Sequence, residues 1–215
     1  SNKKLNKIFR INTDKEISKR KLMLINFLKK RKIFFDKSDN KICILSSVVP
    51  SLNSIIKNYF VKNKFKFHII TAKNLPFKTK INYNLNQIGS DRLANFIFLF
   101  NKKIKNCIII DFGTATTFDV IKNEIYQGGV IAPGINLSIL DLNKSTALLP
   151  IFNLKKTKKT FGKNTKDALN TGFLWGYEGL INNIIDKIIQ RRKDQYKIIL
   201  TGGYASLFKK MIKMK

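Results

Sequence analysis

The sequence predicts an α/β protein, because short apolar runs of strand length alternate along the chain with amphipathic stretches of helix length. The clearest strand is the β-branched run Cys107–Ile110, and the clearest helix carries the apolar stripe between Leu180 and Ile189. The chain has 215 residues, 44% of them hydrophobic, which is enough for one large domain or two smaller ones. Both halves follow the same strand-then-helix order, which indicates two similar α/β domains facing a cleft.

The first half, residues 1–103, is expected to form an N-terminal domain. Its apolar runs predict strands, and its helical periodicity with capping residues predicts helices between them. In order, these are a strand at residues 8–11, a helix from Asp14 through Leu28, a strand at Ile42–Leu45, a helix capped by Ser51, a strand at Phe65–Ile70 and a helix at about Asp91–Phe100.

The second half, residues 104–215, is expected to form a C-terminal domain that begins with an antiparallel meander. Its predicted elements are strands at Cys107–Ile110, Thr116–Ile121 and Glu124–Gln127, a Gly-rich loop at Gly128–Gly134 before a helix, a long helix after Thr165, a strand at Lys197–Leu200, and a Thr201-Gly202-Gly203 turn.

The stretch that follows the Cys107–Ile110 strand has the composition of a phosphate and cation site. Asp111 can hold a cation, and Gly113 lets the backbone approach a ligand. The hydroxyls of Thr114, Thr116 and Thr117 can donate to phosphate oxygens. The alternative is a strand, a glycine turn and a second strand in which threonine serves β propensity.

The net charge of +29 does not by itself indicate a nucleic-acid-binding protein. A nucleic-acid interface calls for a basic patch or stripe with interleaved aromatic residues, whereas these lysines are spread along the whole chain. Their co-occurrence with abundant Asn, Ile and Phe is typical of an AT-rich genome. The nearest basic cluster, Lys155–Lys159, is typical of a solvated loop, although the overall charge is suited to attracting anionic substrates such as nucleotides.

The remaining composition favours a cytoplasmic protein without a membrane span. No apolar run approaches the ~18 residues of a transmembrane helix, and the N-terminal residues lack a signal-peptide pattern. Cys43 and Cys107 lie in apolar strand-like runs and are expected to be buried hydrophobic residues rather than a disulfide or metal framework. His68, in another such run, is expected to be structural.

Several motifs, taken together and in order, resemble type III pantothenate kinase, a family of the acetate and sugar kinase/actin-like superfamily. The resemblance covers almost the whole chain and rests on Ser46–Pro50, Gly89-Ser-Asp-Arg92, Asp111–Asp119, Gly128–Gly134, Thr146–Pro150, Asn164-Thr165 and Thr201-Gly-Gly203. It implies two ribonuclease-H-like (actin-like ATPase) domains with mixed sheets flanked by helices.

The resemblance also implies the reaction and its cofactors. The terminal hydroxyl of pantothenate would attack the γ-phosphate of ATP and give 4′-phosphopantothenate, in the first step towards coenzyme A. Mg²⁺ and a monovalent cation, K⁺ or NH₄⁺, would take part, and a homodimer is implied. Another small-molecule kinase of the same superfamily is the alternative within the enzyme class.

Asp91 matches the catalytic base of the family, since a carboxylate can accept the proton of the attacking hydroxyl. Its alternative role is that of an acidic residue complementing a helix dipole. Arg92 would hold the pantothenate carboxylate or the developing phosphoryl charge through its two-pronged guanidinium, and the alternative is a surface ion pair.

The other substrate residues implied by the resemblance are Gly89, Ser90, Tyr83 and Thr165. Gly89 and Ser90 belong to the substrate loop, in which the family more often has Ala at the position of Ser90. Tyr83 lies near the substrate-contacting tyrosine of the family, although no proline follows it here. Thr165 matches a threonine that contacts pantothenate, commonly from the dimer partner.

The nucleotide and cation residues implied by the resemblance come from the second half. Asp111 matches the site for the monovalent cation, and Thr114, with Gly113, matches an ATP contact. Gly202 and Gly203 match the loop beside the adenosine, where missing side chains let the nucleotide approach the backbone. The alternative for these two glycines is a plain strand-to-helix turn.

The chain departs from the family at both ends. The Asp-x-Gly-Asn-Thr loop that binds ATP phosphates and helps place Mg²⁺ is not found in it, and little sequence follows Gly203. We therefore expect a fragment without the first strand or strands, which, produced alone, would be a poor or inactive kinase with exposed sheet edges prone to aggregation. A catalytically degenerate regulatory or binding homologue is the alternative.

Overall fold

The computed structural model is a mixed α/β protein and describes residue 9 and residues 17–30, 41–75, 80–189 and 195–212. Its helices are α1 (Ile17–Lys30), α2 (Pro50–Lys62), α3 (Ser90–Asn101), α4 (Ile135–Lys144), α5 (Thr165–Ile189) and α6 (Ala205–Phe208). Its strands are β1 (Ile42–Leu45), β2 (Lys66–Ile69), β3 (Cys107–Phe112), β4 (Ala115–Lys122), β5 (Ile125–Pro133) and β6 (Lys197–Gly202). The strand predicted at residues 8–11, apart from Phe9, and the predicted cap Asp14 lie outside the described residues.

The chain forms two compact units, and the first consists of Ser1–Leu75 with Gly89–Ala94. Within it, β1, α2 and β2 form a β-α-β arrangement whose two strands pair in parallel, from Ile42 opposite Lys66 to Leu45 opposite Ile69. The hydroxyl of Tyr59 on α2 donates a hydrogen bond of 2.8 Å to the carbonyl oxygen of Leu28 on α1. The strands and helix predicted here are therefore confirmed.

The prediction that Ser51 caps α2 is wrong. The helix begins one residue earlier at Pro50, and Val49 occupies the cap position without a side-chain hydrogen bond. Proline is favoured at the first helical position, because its φ suits the helix and its missing N–H would have no intrahelical partner there. Pro50 therefore starts the helix in place of a capping hydroxyl.

The second unit, Pro76–Ile88 with Asn95–Lys215, is built on a four-stranded mixed sheet in the order β5-β4-β3-β6. β3 pairs antiparallel with β4 and parallel with β6, so it is hydrogen-bonded on both edges. Alternate β3 side chains, those of Ile108, Ile110 and Phe112, enter a buried apolar core with residues of α5 and α6. Phe112 stacks on Phe208 of α6 with ring centroids 5.3 Å apart.

The segment Gly128–Gly134, predicted as a Gly-rich loop, is largely strand. β5 continues through Pro133, and its residues pair with β4 from Gly128 opposite Val120 to Pro133 opposite Ala115. The pairing shifts by one residue between Val120 and Ile121, and Gly128 adopts a positive φ of 109° at this irregularity. Gly128 serves a β-bulge, where a left-handed conformation is needed, and does not end the strand.

The two cysteines are free thiols in different surroundings. Cys107 on β3 is completely buried, as predicted, whereas Cys43 on β1 is only half-buried. Burial raises the pKa of the Cys107 thiol to about 12, so it stays neutral and acts as a small apolar side chain. Among the described residues, no helix has both the length and the apolar character needed to cross a membrane.

We expect Gly202→Ala to lower the free energy of unfolding by about 1–3 kcal/mol. Gly202 has a φ of 88°, and a Cβ there would lie 2.5 Å from the carbonyl oxygen of Phe112. The adjacent Gly203→Ala is the matched control, since its Cβ would come no closer than 3.9 Å to that oxygen. Urea unfolding of both variants measures the difference, and equal stabilities would contradict the close approach of β6 to β3.

Candidate functional site

Five of the predicted site residues lie at one edge of the second unit's sheet. β3 and β6 run parallel and end together, with Asp111 opposite Thr201 and Phe112 opposite Gly202. Gly113 and Thr114 follow β3 directly, and Gly203 follows β6. The carboxyl ends of adjacent parallel strands form a common edge, so the cation and nucleotide candidates of the second half are neighbours in space.

Asp111 accepts a hydrogen bond from a side-chain amide and has a threonine opposite it on each neighbouring strand. Its Oδ2 accepts a hydrogen bond of 3.3 Å from the side-chain amide of Asn95 on α3. Thr117 of β4 and Thr201 of β6 are its register partners on either side, so their side chains share its face of the sheet. A carboxylate flanked by two hydroxyls is an oxygen-rich environment suited to a hard cation.

Asn95 and Thr201 were not among the predicted site residues, and Thr117 was predicted only as a phosphate donor, not as a neighbour of the Asp111 carboxylate. Asn95 is far from Asp111 in sequence and has no local signal, and only the packing of α3 brings its amide to the carboxylate. Thr117 lies in the Asp111–Asp119 motif and Thr201 in the Thr201-Gly-Gly203 motif. The register of the three strands was needed to place both hydroxyls beside Asp111.

The turn between β3 and β4 leaves Gly113 and Thr114 exposed. The Gly113 N–H donates to the carbonyl oxygen of Ala115 at 3.1 Å, which closes the turn. A Cβ at Gly113 would meet nothing closer than 3.6 Å, so the fold itself does not require glycine there. Gly134 is different, because a Cβ there would lie 1.8 Å from the carbonyl oxygen of Thr114.

The three hydroxyls predicted to bind phosphate lie in different environments. Thr114 is exposed, and Thr117 is half-buried beside Asp111. Thr116 is completely buried, and its Oγ1 donates to the carbonyl oxygen of Pro133 at 3.0 Å. The phosphate role suggested for Thr116 is therefore wrong, because its hydroxyl ties β4 to the end of β5.

The turn after β6 is joined to the start of α4. The Gly203 N–H donates to the carbonyl oxygen of Phe112 at 3.0 Å, and the Tyr204 hydroxyl donates to Oδ1 of Asn136 in the first turn of α4. Both Gly202 and Gly203 are exposed. This turn is thus a firmly held, side-chain-free surface beside Gly113.

In the first unit, Gly89-Ser90-Asp91-Arg92 forms the start of α3. The Ser90 hydroxyl is buried and donates to the carbonyl oxygen of Ser47 at 2.7 Å, and the Ser46 hydroxyl lies 3.5 Å from it. Two of the quoted motifs, Ser46–Pro50 and Gly89–Arg92, are thereby joined through one buried serine.

Asp91 and Arg92 lie in contrasting environments. Asp91 is exposed, and its Oδ1 accepts a hydrogen bond of 2.8 Å from the backbone N–H of Arg92. A Cβ at Gly89 would lie 2.5 Å from that same Oδ1, so the carboxylate rests against the glycine. Arg92 is only 6% exposed, which rules out the alternative of a surface ion pair.

The two remaining candidates, Tyr83 and Thr165, lie in separate parts of the second unit. Tyr83 belongs to the second unit, where its ring packs edge-on against Tyr126 at 6.0 Å. Thr165 is the exposed first residue of α5. Asn164 caps that helix by accepting a 2.9 Å bond from the N–H of Asp167.

The loop before α5 is tied to the same helix start. The Lys159 ammonium bonds the Asp167 carboxylate at 2.5 Å, and this hydrogen bond holds the pKa of Asp167 below its usual value.

Of the residues that the structure describes, none form a group of three or more His, Cys, Asp and Glu side chains placed to hold a metal ion.

We expect Thr116→Val to reduce stability by about 1 kcal/mol without altering nucleotide binding, because it removes only the internal bond to Pro133. Thr114→Val is the counterpart, since its exposed hydroxyl can be lost with little effect on stability but at a cost to ligand binding. Thermal unfolding and nucleotide titration calorimetry separate the two effects. Weaker nucleotide binding by a stable Thr116→Val protein would contradict the assignment.

Comparison with known proteins adds an independent observation. The family model described as "Type III pantothenate kinase" matches residues 1–187. A type III pantothenate kinase of Pelagibacter ubique (strain HTCC1062) is 50% identical over 181 residues, covering 84% of this chain and 72% of the relative. One of Koribacter versatilis (strain Ellin345) is 39% identical over 171 residues, covering 76% of this chain and 61% of the relative.

A solved structure has a similar fold. The crystal structure of a conserved putative Baf family transcriptional activator from Campylobacter jejuni superposes with a TM-score of 0.57 at 24% sequence identity. The match covers 89% of this chain and 78% of that protein. At this identity the likeness concerns the fold alone.

Proposed function

This chain belongs to the type III pantothenate kinase family, and we propose that Asp91 is the general base of the family reaction in this protein. Members of the family are ATP-dependent kinases that phosphorylate pantothenate in the first step of coenzyme A biosynthesis. Such phosphoryl transfer depends mainly on positioning and charge neutralisation, with a carboxylate accepting the proton of the attacking hydroxyl.

The observation that carries the assignment is the fixed, exposed carboxylate of Asp91 at the start of α3. The backbone N–H of Arg92 holds one carboxylate oxygen at 2.8 Å, and Gly89 provides the space in which that oxygen lies. The buried Ser90 hydroxyl anchors the loop through Ser47. A general base needs this combination of accessibility and fixed orientation.

Arg92 and the residues before it are proposed to bind pantothenate. Arg92 as a residue is only 6% exposed. A guanidinium in such a site is less hydrated than one at the surface and is suited to binding a carboxylate or phosphoryl group with two parallel hydrogen bonds. We assign the pantothenate carboxylate or the developing phosphoryl charge to Arg92. The substrate loop is assigned to Gly89 and Ser90, with Tyr83 and Thr165 as further substrate contacts.

The edge formed by β3 and β6 is proposed to bind ATP and a monovalent cation. Asp111, with the hydroxyls of Thr117 and Thr201 beside it, fits K⁺ or NH₄⁺ in its donor chemistry. Thr114 and Gly113 are assigned to ATP phosphates, and Gly202 and Gly203 to the adenosine side. Mg²⁺ is assigned to the ATP phosphates, where it would neutralise developing charge.

For the architecture we propose two ribonuclease-H-like, actin-like domains, divided near residues 103 and 104. The compact units differ from this division, since residues 76–88 and 95–103 belong to the second unit. The support is the second unit's sheet, in which an antiparallel meander, β3 to β5, is extended by β6 parallel to its first strand. We place the enzyme in the cytoplasm, with ATP and pantothenate as its small-molecule partners.

We expect Asp91→Asn, in protein made from the complete reading frame, to lower kcat for pantothenate phosphorylation by about 10²- to 10⁴-fold. The amide can still accept the Arg92 N–H bond but cannot take up a proton, so folding should be unchanged. Product formation by the unmodified enzyme should also increase with added K⁺. The assay measures phosphopantothenate from ATP, Mg²⁺ and pantothenate, with and without KCl.

Asp141→Asn, on the exposed surface of α4, is the matched control and should retain full activity. A folded Asp91→Asn enzyme with normal kcat would contradict the base assignment. A folded, unmodified full-length protein that yields no product would favour the catalytically degenerate homologue.

A homodimer is proposed on the exposed face of α5. Gly172, Gly176 and Gly179 share this face, nothing lies within 4 Å of the position a Cβ would take at any of them, and Trp175 beside them is 43% exposed. Such a groove of small residues flanked by an aromatic side chain allows close helix–helix approach. Thr165 begins the same helix, so pairing through α5 would also bring the substrate candidate near a partner subunit.

We expect Gly176→Arg to convert the dimer to a monomer, because a long charged side chain would block close approach at the exposed face of α5. Gly176→Ala is the matched control and should remain dimeric, since a methyl group still allows the helices to pack. Light scattering after size exclusion measures the mass. A Gly176→Arg protein that stays dimeric would place the interface elsewhere.

A further inference from the structure

The segment that carries Tyr83 is attached to the sheet of the second unit at Tyr126 of β5. Ile81 forms an isolated parallel bridge with Tyr126, and the N–H of Asn82 donates to the carbonyl oxygen of Tyr126 at 2.8 Å. The ring of Tyr83 packs edge-on against the Tyr126 ring, with centroids 6.0 Å apart. The position of three consecutive residues thus depends on where Tyr126 lies.

Tyr126 is itself held by a hydrogen bond to the buried carboxylate of Asp119. It is only 1% exposed, and its hydroxyl donates to Oδ1 of Asp119 on β4 at 2.7 Å. Asp119 is completely buried. A hydrogen bond from a buried phenol to a buried carboxylate is strong, because no water competes for either group. The Tyr126 ring also packs against the Phe96 ring of α3, with centroids 5.7 Å apart, so the ring has a second support within the core.

The β-bulge beside Tyr126 makes room for Tyr83. Tyr126 pairs with Ile121 and Gly128 with Val120, so Gln127 is the extra residue of the bulge. Gly128 has a φ of 109°, and a Cβ there would lie 3.1 Å from Cδ2 of Tyr83. Bulges commonly redirect side chains near active sites. Here the irregularity leaves a glycine surface against which the Tyr83 ring rests.

We propose that Tyr126 and Asp119 are positioning residues that set the place of Tyr83 for binding pantothenate. This inference rests on the proposed function, in which Tyr83 contacts the substrate. The hydroxyl of Tyr126 contributes no contact to substrate. Its bond to Asp119 keeps the Tyr126 ring in place, and with it the backbone bond to Asn82 and the packing of the Tyr83 ring. Without that bond these groups would shift together, and a small displacement of a substrate contact weakens binding.

The test is Tyr126→Phe in protein from the complete reading frame, because this change removes the bond to Asp119 and keeps the ring. We expect faster amide hydrogen exchange at residues 80–84 and a KM for pantothenate raised about tenfold, with kcat and the KM for ATP nearly unchanged. A general loss of folding would not produce this selective change. Tyr59→Phe, which removes a 2.8 Å hydroxyl bond in the first unit, is the matched control and should leave both readouts unchanged.

Variants at Asp119 and Tyr83 complete the design. Asp119→Asn keeps a carbonyl oxygen that can accept the Tyr126 hydroxyl, so it should retain a nearly normal KM, whereas Asp119→Val should behave like Tyr126→Phe. Tyr83→Ala should raise the KM for pantothenate by itself. If Tyr126 acts through Tyr83, adding Tyr126→Phe to Tyr83→Ala should raise the KM little further.

The outcomes separate this inference from the function on which it rests. No pantothenate turnover by the unmodified enzyme would contradict the proposed function, while amide exchange would still report whether Tyr126 holds residues 80–84. Unchanged exchange or an unchanged KM in an active Tyr126→Phe enzyme would overturn the positioning role alone. Full additivity of the Tyr83 and Tyr126 changes would overturn it as well.

Discussion

The hydrogen bonding of β3 on both of its edges is the constraint on which the second unit depends. β4 pairs with one edge in the antiparallel sense and β6 pairs with the other in the parallel sense. Every residue of β3 except the half-buried Asp111 is buried. Parallel pairing with β6 brings two strand ends and their turns to one edge. The proposed cation and nucleotide residues therefore owe their proximity to backbone pairing, and a ligand is not needed to assemble them.

Patterns local in sequence predicted most elements of both units. The β-branched run before Asp111 and the apolar stripe of α5 each follow one clear period, and both elements formed where that period indicated. Gly128–Gly134 misled the prediction because glycine marks both loops and bulges, and only the partner strand decides between them. Ser51 misled it because a neighbouring proline competes for the start of the helix.

The sequence motifs of the site could be predicted, but the residues that hold or neighbour the motif side chains could not. Asp91, Asp111 and Thr114 were identifiable from short runs of sequence with a family resemblance. Asn95 beside Asp111 depends on a contact between residues distant in sequence, and no local pattern signals it. Thr116 shows the converse error, since a hydroxyl in a phosphate-like motif is used inside the sheet. Motifs locate chemistry, whereas register and packing decide which side chain of a motif faces the ligand.

The glycines of the motifs divide by what the fold demands of them, and this division locates the proposed ligand surface. Gly134 and Gly202 are required by the backbone, since a Cβ at either would overlap a carbonyl oxygen. At Gly113 and Gly203 a Cβ would make only ordinary van der Waals contacts, no closer than 3.6 Å and 3.9 Å, and at Gly89 the one contact shorter than 3.5 Å would be with the Asp91 carboxylate. Because glycine costs conformational entropy, a glycine that the fold does not need is best explained by a group that must approach it. The groups proposed to do so are the ATP phosphates at Gly113, the adenosine at Gly203 and the catalytic carboxylate itself at Gly89.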